Sequence, residues 1–500
     1  MKRIANIYEL NIRIWLWELS NKYKSRISLT NIPDEEILKL KELGFDCLWL
    51  EGVWSRSKES RNIILKDAKL MHELKIILPG LKLEDVSSSP YAISQYEVDV
   101  FLGNNQNLLE FKKRLNRDGM KLMLDFVPNH TALDHHWLKE NPDYFIRGTD
   151  EDLNNYPDLF FRHSDAGFIF AYGKDPNFPA WQDVVQLNYF NPQTRKAMLT
   201  LLLNIAGLCD GLRCDMAMLI LKRVQREIWK ERVFGGNKFK EQELEFWQEA
   251  AVLIRKSYPD FIFIAEAYWG LEDELIELGF DYAYDKTFYD YLRDSNIENV
   301  KEYLAEEQET AGRKLKFIEN HDEARAAVVF GPEKVKIAAF LLALSPGAHL
   351  YHQGQLEGFK LKAPLYLTRS VSEQIDEDIR SFYKNLLVAL KDIPLNTVQW
   401  ELVALFPAWK ENESYKNFIA VFGKAQGIYY LAVINYSFAQ SQCYAYFDIS
   451  AIAAEDLIFK DIVGQSEYRR NKEEIIIRGL YLDMPKYSFH LFKILERSNK

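Results

Sequence analysis

From residue 11 to about residue 370 the chain alternates short apolar runs with longer stretches of helical period, the rhythm of repeated strand–helix units in a parallel sheet. Eight apolar runs read as strands: 12–17, 45–50, 121–126, 211–215, 261–265, 282–284, 316–318 and 349–351. Eight is the number that closes a (β/α)8 barrel. The helices between them carry their own punctuation. Pro33 followed by Asp34, Glu35 and Glu36 opens one that Gly44 closes, 107–116 ends near Gly119, and Asn191-Pro192 starts an amphipathic run to Ala206.

One interval breaks the rhythm. Asp125 and Asp215 stand about two ordinary units apart, and the text between them is aromatic and dotted with Gly and Pro. Residues 131–190 therefore read as a lobe inserted after the third strand, on the face where the strand–helix loops of a barrel build active sites. After Asp392-Ile393-Pro394 the helical period gives way to alternating runs such as 418–422 and 428–434, which predict an antiparallel β domain. The expected organisation is a barrel over 1–130 and 191–394, the lobe over 131–190, and a C-terminal β-sandwich over 395–500. Neither a repeat of fixed period nor a low-complexity segment is visible.

Composition narrows the function classes. The 63 Lys and Arg set against 73 Asp and Glu give a net charge of −10 with no basic run, so there is no electrostatic footprint for nucleic acid. The N-terminal stretch is interrupted by Arg, Glu and Asn, and no run reaches the length of a membrane span, so neither a signal peptide nor a membrane is expected. Cys47, Cys209, Cys214 and Cys443 form neither a disulfide framework nor paired zinc knuckles, and read as buried free thiols of a cytoplasmic protein. Nothing in the text sets the oligomeric state. Aromatic residues make up 14% of the chain; most serve as core, but rings near a cleft would suit the flat C–H faces of sugars.

Four segments put acidic or imidazole groups at the C-terminal ends of predicted strands: LMLDFVPNH with Asp125 and His130, GLRCD with Arg213 and Asp215, FIAEAYW with Glu266, and FIENHDEAR with His321, Asp322 and Arg325. Any one such carboxylate could instead cap a helix or join an ion pair, but four in barrel order point to chemistry. Arg213 and Asp215 lie two apart in a strand and share a face, so the guanidinium keeps the carboxylate ionised, as a nucleophile requires. Glu266 sits between the apolar run 261–265 and Ala267, Tyr268 and Trp269. Desolvation there is expected to raise its pKa and keep a proton for a leaving group. Two carboxyl groups with diverging environments are the signature of glycoside cleavage. His130, Asp134, His135 and His136 have ligand-like spacing, but no metal is expected of them, since His130 is wanted for sugar and His135 and Trp137 for packing.

In this order and spacing, DFVPNH, GLRCD, AEAYW and ENHDEAR resemble the four signature regions of the α-amylase family, glycoside hydrolase family 13, with Gln186-Leu187-Asn188 as a shorter fifth. The resemblance covers the whole chain and implies Asp215 as nucleophile, Glu266 as general acid/base and Asp322 as transition-state stabiliser. It also implies Tyr91, His130, Arg213 and His321 around the same sugar ring, with Trp269 as a further substrate contact. The chain departs from the family at Ala92, where Asp is usual after the stacking tyrosine, and at Leu356, where Glu is usual. It departs again at Met218 and Leu219, where calcium-binding relatives carry Lys-His, so no cofactor is expected and calcium is not counted on. The implied activity is retaining cleavage of α-glucosidic bonds in α-glucans or oligosaccharides. Transglycosylation and phosphorolysis on small glucosides such as sucrose, trehalose or maltose are the alternatives within the family. Outside it, the alternative is a catalytically silent binding or scaffolding barrel. Phe168, Phe170, Tyr172 and Trp181 of the lobe are expected to form the acceptor subsites.

Overall fold

The computed structural model describes residues 5–305, 312–391, 393 and 398–496. Eight parallel strands, β1 (Asn6–Asn11), β2 (Cys47–Glu51), β3 (Lys121–Phe126), β4 (Gly211–Cys214), β5 (Ile262–Ala265), β6 (Tyr282–Tyr284), β7 (Lys314–Lys316) and β8 (Ala348–His352), close into a barrel in sequential order. Their runs are apolar without alternation because both faces of a barrel strand are covered: all five residues of β2 and all four of β4 and of β5 are buried.

Two strands are shifted from their expected places. The run 12–17 is helix, part of Ile12–Tyr23, and β1 lies just before it. Ile-Arg-Ile-Trp-Leu-Trp satisfies the strand period and the helix period alike. Asn11 decides between them by accepting hydrogen bonds from the amides of Arg13 and Ile14 as an N-cap. β7 ends at Lys316 rather than beginning there, which leaves Glu319 to Asp322 in the loop beyond it.

The chain forms two compact units. The first comprises Met1–Lys41, Phe45–Asp285 and Leu361–Glu373. It holds β1 to β6 and a four-stranded antiparallel sheet with the order His130–Ala132, Trp181–Gln186, Ile169–Gly173, Phe160–Arg162, which is the inserted lobe. Its core is Ile146, Phe160, Ile169, Ala171, Phe190, Trp229 and Val233. A second insertion, which the sequence pattern does not predict, follows β2: a short hairpin of Trp54–Arg56 with Ile93–Val98 encloses helices Lys58–Lys66 and Ala68–Ile77. Leu367 packs into its core, and Arg369 grips Asp85 through Nε at 2.8 Å and Nη2 at 2.9 Å.

The second unit comprises Glu42–Gly44, Lys286–Lys360 and Gln374–Lys500. It carries β7, β8 and, beyond residue 398, a six-stranded and a three-stranded antiparallel sheet. Alternate residues of both sheets, among them Phe418, Leu431, Val433, Cys443, Leu482 and Phe492, meet in one core.

Candidate active site

β4 delivers Arg213 into the interior of the first unit, where the side chain is 1% exposed. Asp215 follows on the same face, as the period of a strand requires, and Arg213 Nη1 donates to its Oδ1 at 2.6 Å. The other terminal nitrogen, Nη2, lies 2.8 Å from Glu266 Oε2, and Nη1 is 3.8 Å from Asp125 Oδ1. Nε donates to the Tyr284 hydroxyl at 3.3 Å. The rings of Tyr91, Trp49 and Tyr284 surround the guanidinium carbon at 5.2, 5.4 and 5.6 Å. Burial works against the charge of Arg213, but Glu266 and then Tyr284, Tyr91 and Asp215 outweigh it and hold the side chain well above its ordinary pKa.

Glu266 stands one residue past β5. Its Oε2 also accepts the Met216 amide at 2.6 Å, and its Oε1 accepts the Tyr268 hydroxyl at 3.0 Å. Met216 turns its amide toward Glu266 from a left-handed conformation, φ +40°, that costs a side chain of this size about 1 kcal/mol. The residues that flank Glu266 in sequence are buried and apolar, and in space its carboxylate also meets a guanidinium, an N–H and an O–H. Arg213 does not belong to Asp215 alone; it bridges both carboxylates.

His130, at the start of the lobe sheet, pairs in register with Gln186 and sets its ring edge-on to Trp181 at 5.4 Å. Burial lowers its pKa, against the pull of Asp215 and a hydrogen bond to the Tyr91 backbone, so the ring is neutral at pH 7. The Tyr91 hydroxyl donates to Glu51 Oε1 at 3.1 Å, while Asn11 donates to Glu51 Oε2 at 3.0 Å. Trp269 is 44% exposed on the loop after β5, with φ at +66°. The structure thus gathers Tyr91, His130, Arg213, Asp215 and Glu266 in one unit and leaves Trp269 at its surface.

In the second unit, His321 Nε2 lies 2.9 Å from Asp322 Oδ2 on the loop after β7; the imidazole is buried and the carboxylate is 46% exposed. The Asn320 side chain accepts the amides of Asp322 and Glu323 at 2.9 and 2.8 Å. Behind it Glu319 is buried against Arg325 and His352.

Of the expected acceptor residues, Phe170 has no exposure and packs against Phe145 and Phe161, Tyr172 stacks on Phe161 at 4.5 Å, and Phe168 lies under the Arg147 guanidinium at 3.9 Å. Trp181, against His130, is the one of the four held beside a site residue. Sequence reasoning passed over Glu51, Asp125 as a neighbour of Arg213, Tyr284 and Glu319. The signal for Glu51 was its place at the end of β2. All four cysteines are free and buried, and among the described residues no group of three or more His, Cys, Asp or Glu could hold a metal.

A family model described as alpha amylase, catalytic domain, matches residues 35–422. Among curated proteins, alpha-amylase MalA of Haloarcula japonica is 26% identical over 321 residues, covering 62% of this chain and 42% of the relative. Alpha-amylase 3 of Dictyoglomus thermophilum is 21% identical over 66% of this chain and 65% of its own length. The 4-alpha-glucanotransferase of Thermotoga maritima is 26% identical over 64% and 65%. The match therefore spans less than two thirds of each of these relatives. Among solved structures, the noncanonic maltogenic alpha-amylase AmyB from Thermotoga neapolitana superimposes with a TM-score of 0.68 at 19% identity over 99% of both chains. An alpha-amylase from Lactobacillus plantarum gives 0.68 at 21% over 98% and 99%. At these identities the structural likeness speaks for the fold.

Proposed function

This chain belongs to the α-amylase family, and from that premise we propose that it is a retaining glycosidase, cleaving α-glucosidic bonds of α-glucans or oligosaccharides by double displacement. The single observation that carries the reading is the bridging of Asp215 and Glu266 by one guanidinium. It fixes two carboxyl groups beside each other, one to attack the sugar and one to exchange a proton.

In the first step Asp215 forms a bond from its carboxylate oxygen to the anomeric carbon as the bond to the leaving oxygen breaks. Glu266 supplies the proton. Oε1, the oxygen turned away from Arg213, can carry it without disturbing the Arg213 and Met216 bonds to Oε2, because the Tyr268 hydroxyl then accepts where it donated before. In the second step Glu266 takes a proton from water, whose oxygen displaces Asp215 from the anomeric carbon. Neutral His130 donates to a sugar hydroxyl, and Tyr91, oriented by Glu51, offers its ring to the apolar face of the sugar. Asp322, with His321, takes the family's role of stabilising the positive charge of the oxocarbenium-like transition state.

A sugar as second acceptor would make the same steps a transfer. Relatives are named for both outcomes: alpha-amylase, 4-alpha-glucanotransferase and, in Mycolicibacterium smegmatis, trehalose synthase/amylase TreS. Of the two, hydrolysis is the outcome we propose. We also propose that no calcium is needed. The Asn129 carboxamide oxygen accepts Gln186 Nε2 at 2.8 Å, and the residues after the nucleophile, Met218 and Leu219, are buried and apolar. Four free thiols suit a cytoplasmic setting, and no helix among the described residues is long and apolar enough to cross a membrane. Incubation with maltooligosaccharides, trehalose and sucrose, followed by sugar chromatography, tests the reading. Shorter glucosaccharides or glucose are expected; an unchanged panel would leave the silent-scaffold alternative, and longer products or an isomerised disaccharide would assign transfer.

A further inference from the structure

The loop after β7 is closed by a buried carboxylate for which the double displacement has no use. Glu319 is 1% exposed. Its Oε1 accepts Arg325 Nη1 at 2.6 Å and lies 3.1 Å from His352 Nδ1 at the end of β8, while Oε2 accepts the Ala326 amide at 2.7 Å. Arg325 Nη1 also donates to the Gln353 carbonyl at 2.7 Å. Gly354, at φ +89°, leaves the space: a Cβ there would stand 3.1 Å from Arg325 Nη2 and 2.6 Å from Phe359. Glu319 therefore ties the two ends of the segment 319–326 together and fastens both to β8. Inside that closed segment Asn320 takes the amides of Asp322 and Glu323, and Lys286 holds the Glu323 carboxylate at 2.9 Å.

Asp322, the exposed carboxylate of the segment, takes its place from the loop that carries it. A buried Glu–Arg–His cluster is an inefficient way to gain stability, since a well-packed apolar group of the same volume does as well. What it supplies is a fixed geometry, and transition-state electrostatics are sensitive to displacements of about 1 Å. We propose that Glu319 is a positioning residue for catalysis, acting through Asp322, with His352 as the anchor on β8. The proposal rests on Asp322 being the stabiliser of the transition state.

A double-mutant cycle separates positioning from general support. Glu319→Gln is expected to lower kcat by about 10- to 100-fold in the wild-type background and by less than about 3-fold in the Asp322→Asn background, where there is no charge left to position. KM should change less than kcat, and any fall in Tm should be the same in both backgrounds. An equal fractional loss of kcat in both backgrounds, or retention of more than half of the wild-type kcat, overturns the proposal. If Glu319→Gln does not fold, His352→Ala, which keeps the Glu319–Arg325 pair, enters the same cycle under the same two criteria. A wild-type protein without turnover on any α-glucoside would instead overturn the glycosidase reading. Crystal structures of wild type and Glu319→Gln then decide the positioning claim alone: a shift of the Asp322 carboxylate by about 1 Å or more upholds it, and superimposable loops overturn it.

Discussion

Two buried clusters at the ends of barrel strands are built in opposite proportions. Around Arg213 one cation serves three carboxylates, Asp215 at 2.6 Å, Glu266 at 2.8 Å and Asp125 at 3.8 Å. Around Glu319 one carboxylate is served by the Arg325 guanidinium, the His352 ring and the Ala326 amide. The first sets three carboxylates around one cation, the arrangement from which the proposed double displacement draws its nucleophile and its acid. The second is saturated with donors and works as a clasp. In the reading proposed above, the acid-rich cluster is the reactive one and the donor-rich cluster is the scaffold.

Substitutions at the two clusters should differ accordingly. The largest effect is expected for Asp215→Asn, which is nearly isosteric but cannot form the glycosyl ester. Turnover should fall by about 10⁴-fold or more with the thermal transition preserved, and retention of a tenth of the activity would move the nucleophile elsewhere. Glu266→Gln should cost about 10²- to 10⁴-fold on oligosaccharides. On an α-glucoside with a strongly acidic phenol as leaving group, bond breaking needs no proton, and the burst of released phenol should survive. Equal losses on both substrates would argue against Glu266 as the acid. Arg213→Met leaves three buried carboxylates without their cation, and urea denaturation should show a loss of about 3 to 5 kcal/mol; a neutral result would mean that the three carboxylates do not share the charge of Arg213.

Smaller effects sharpen the clasp side. Burial pushes the Glu319 pKa up, but Arg325 and then His352 and the Ala326 amide overcome this and hold it below its ordinary value of 4.5. A carboxyl group with a depressed folded-state pKa contributes stability that is complete above its unfolded value and is lost as pH falls through the folded one. The acid limb of Tm against pH below about pH 4.5 should therefore be shallower in Glu319→Gln than in wild type, as scanning calorimetry would show. The smallest effect is expected for chelation: dialysis against EDTA should leave Tm within about 1 °C, whereas a drop restored by Ca²⁺ would reveal a cation held by other oxygens.

Much of this was legible in the sequence. The barrel order followed from eight apolar runs, and Asp215 beside Arg213 followed from the strand period alone. What was not legible depended on partners distant along the chain. The Glu266 carboxylate meets Arg213 from another strand, a partner that its sequence neighbours do not reveal. Glu51 acquires its role from Tyr91 and Asn11, and Glu319 from His352. The insertion after β2 lies in the long interval between Glu51 and Lys121, which holds no apolar run read as a strand. Strand β1 was misplaced because the run 12–17 fits two periods and only the Asn11 cap separates them.

The central claim, that Asp215 attacks the sugar while Glu266 exchanges the proton, is tested most directly by the configuration of the first-formed product. Each displacement inverts the anomeric carbon, so two restore it. Proton NMR of a maltooligosaccharide digest, recorded before mutarotation, should show the α-anomer signal rising first. If the β-anomer appears first, the displacement is single, Asp215 activates water rather than attacking carbon, and the Arg213 cluster does not hold a nucleophile.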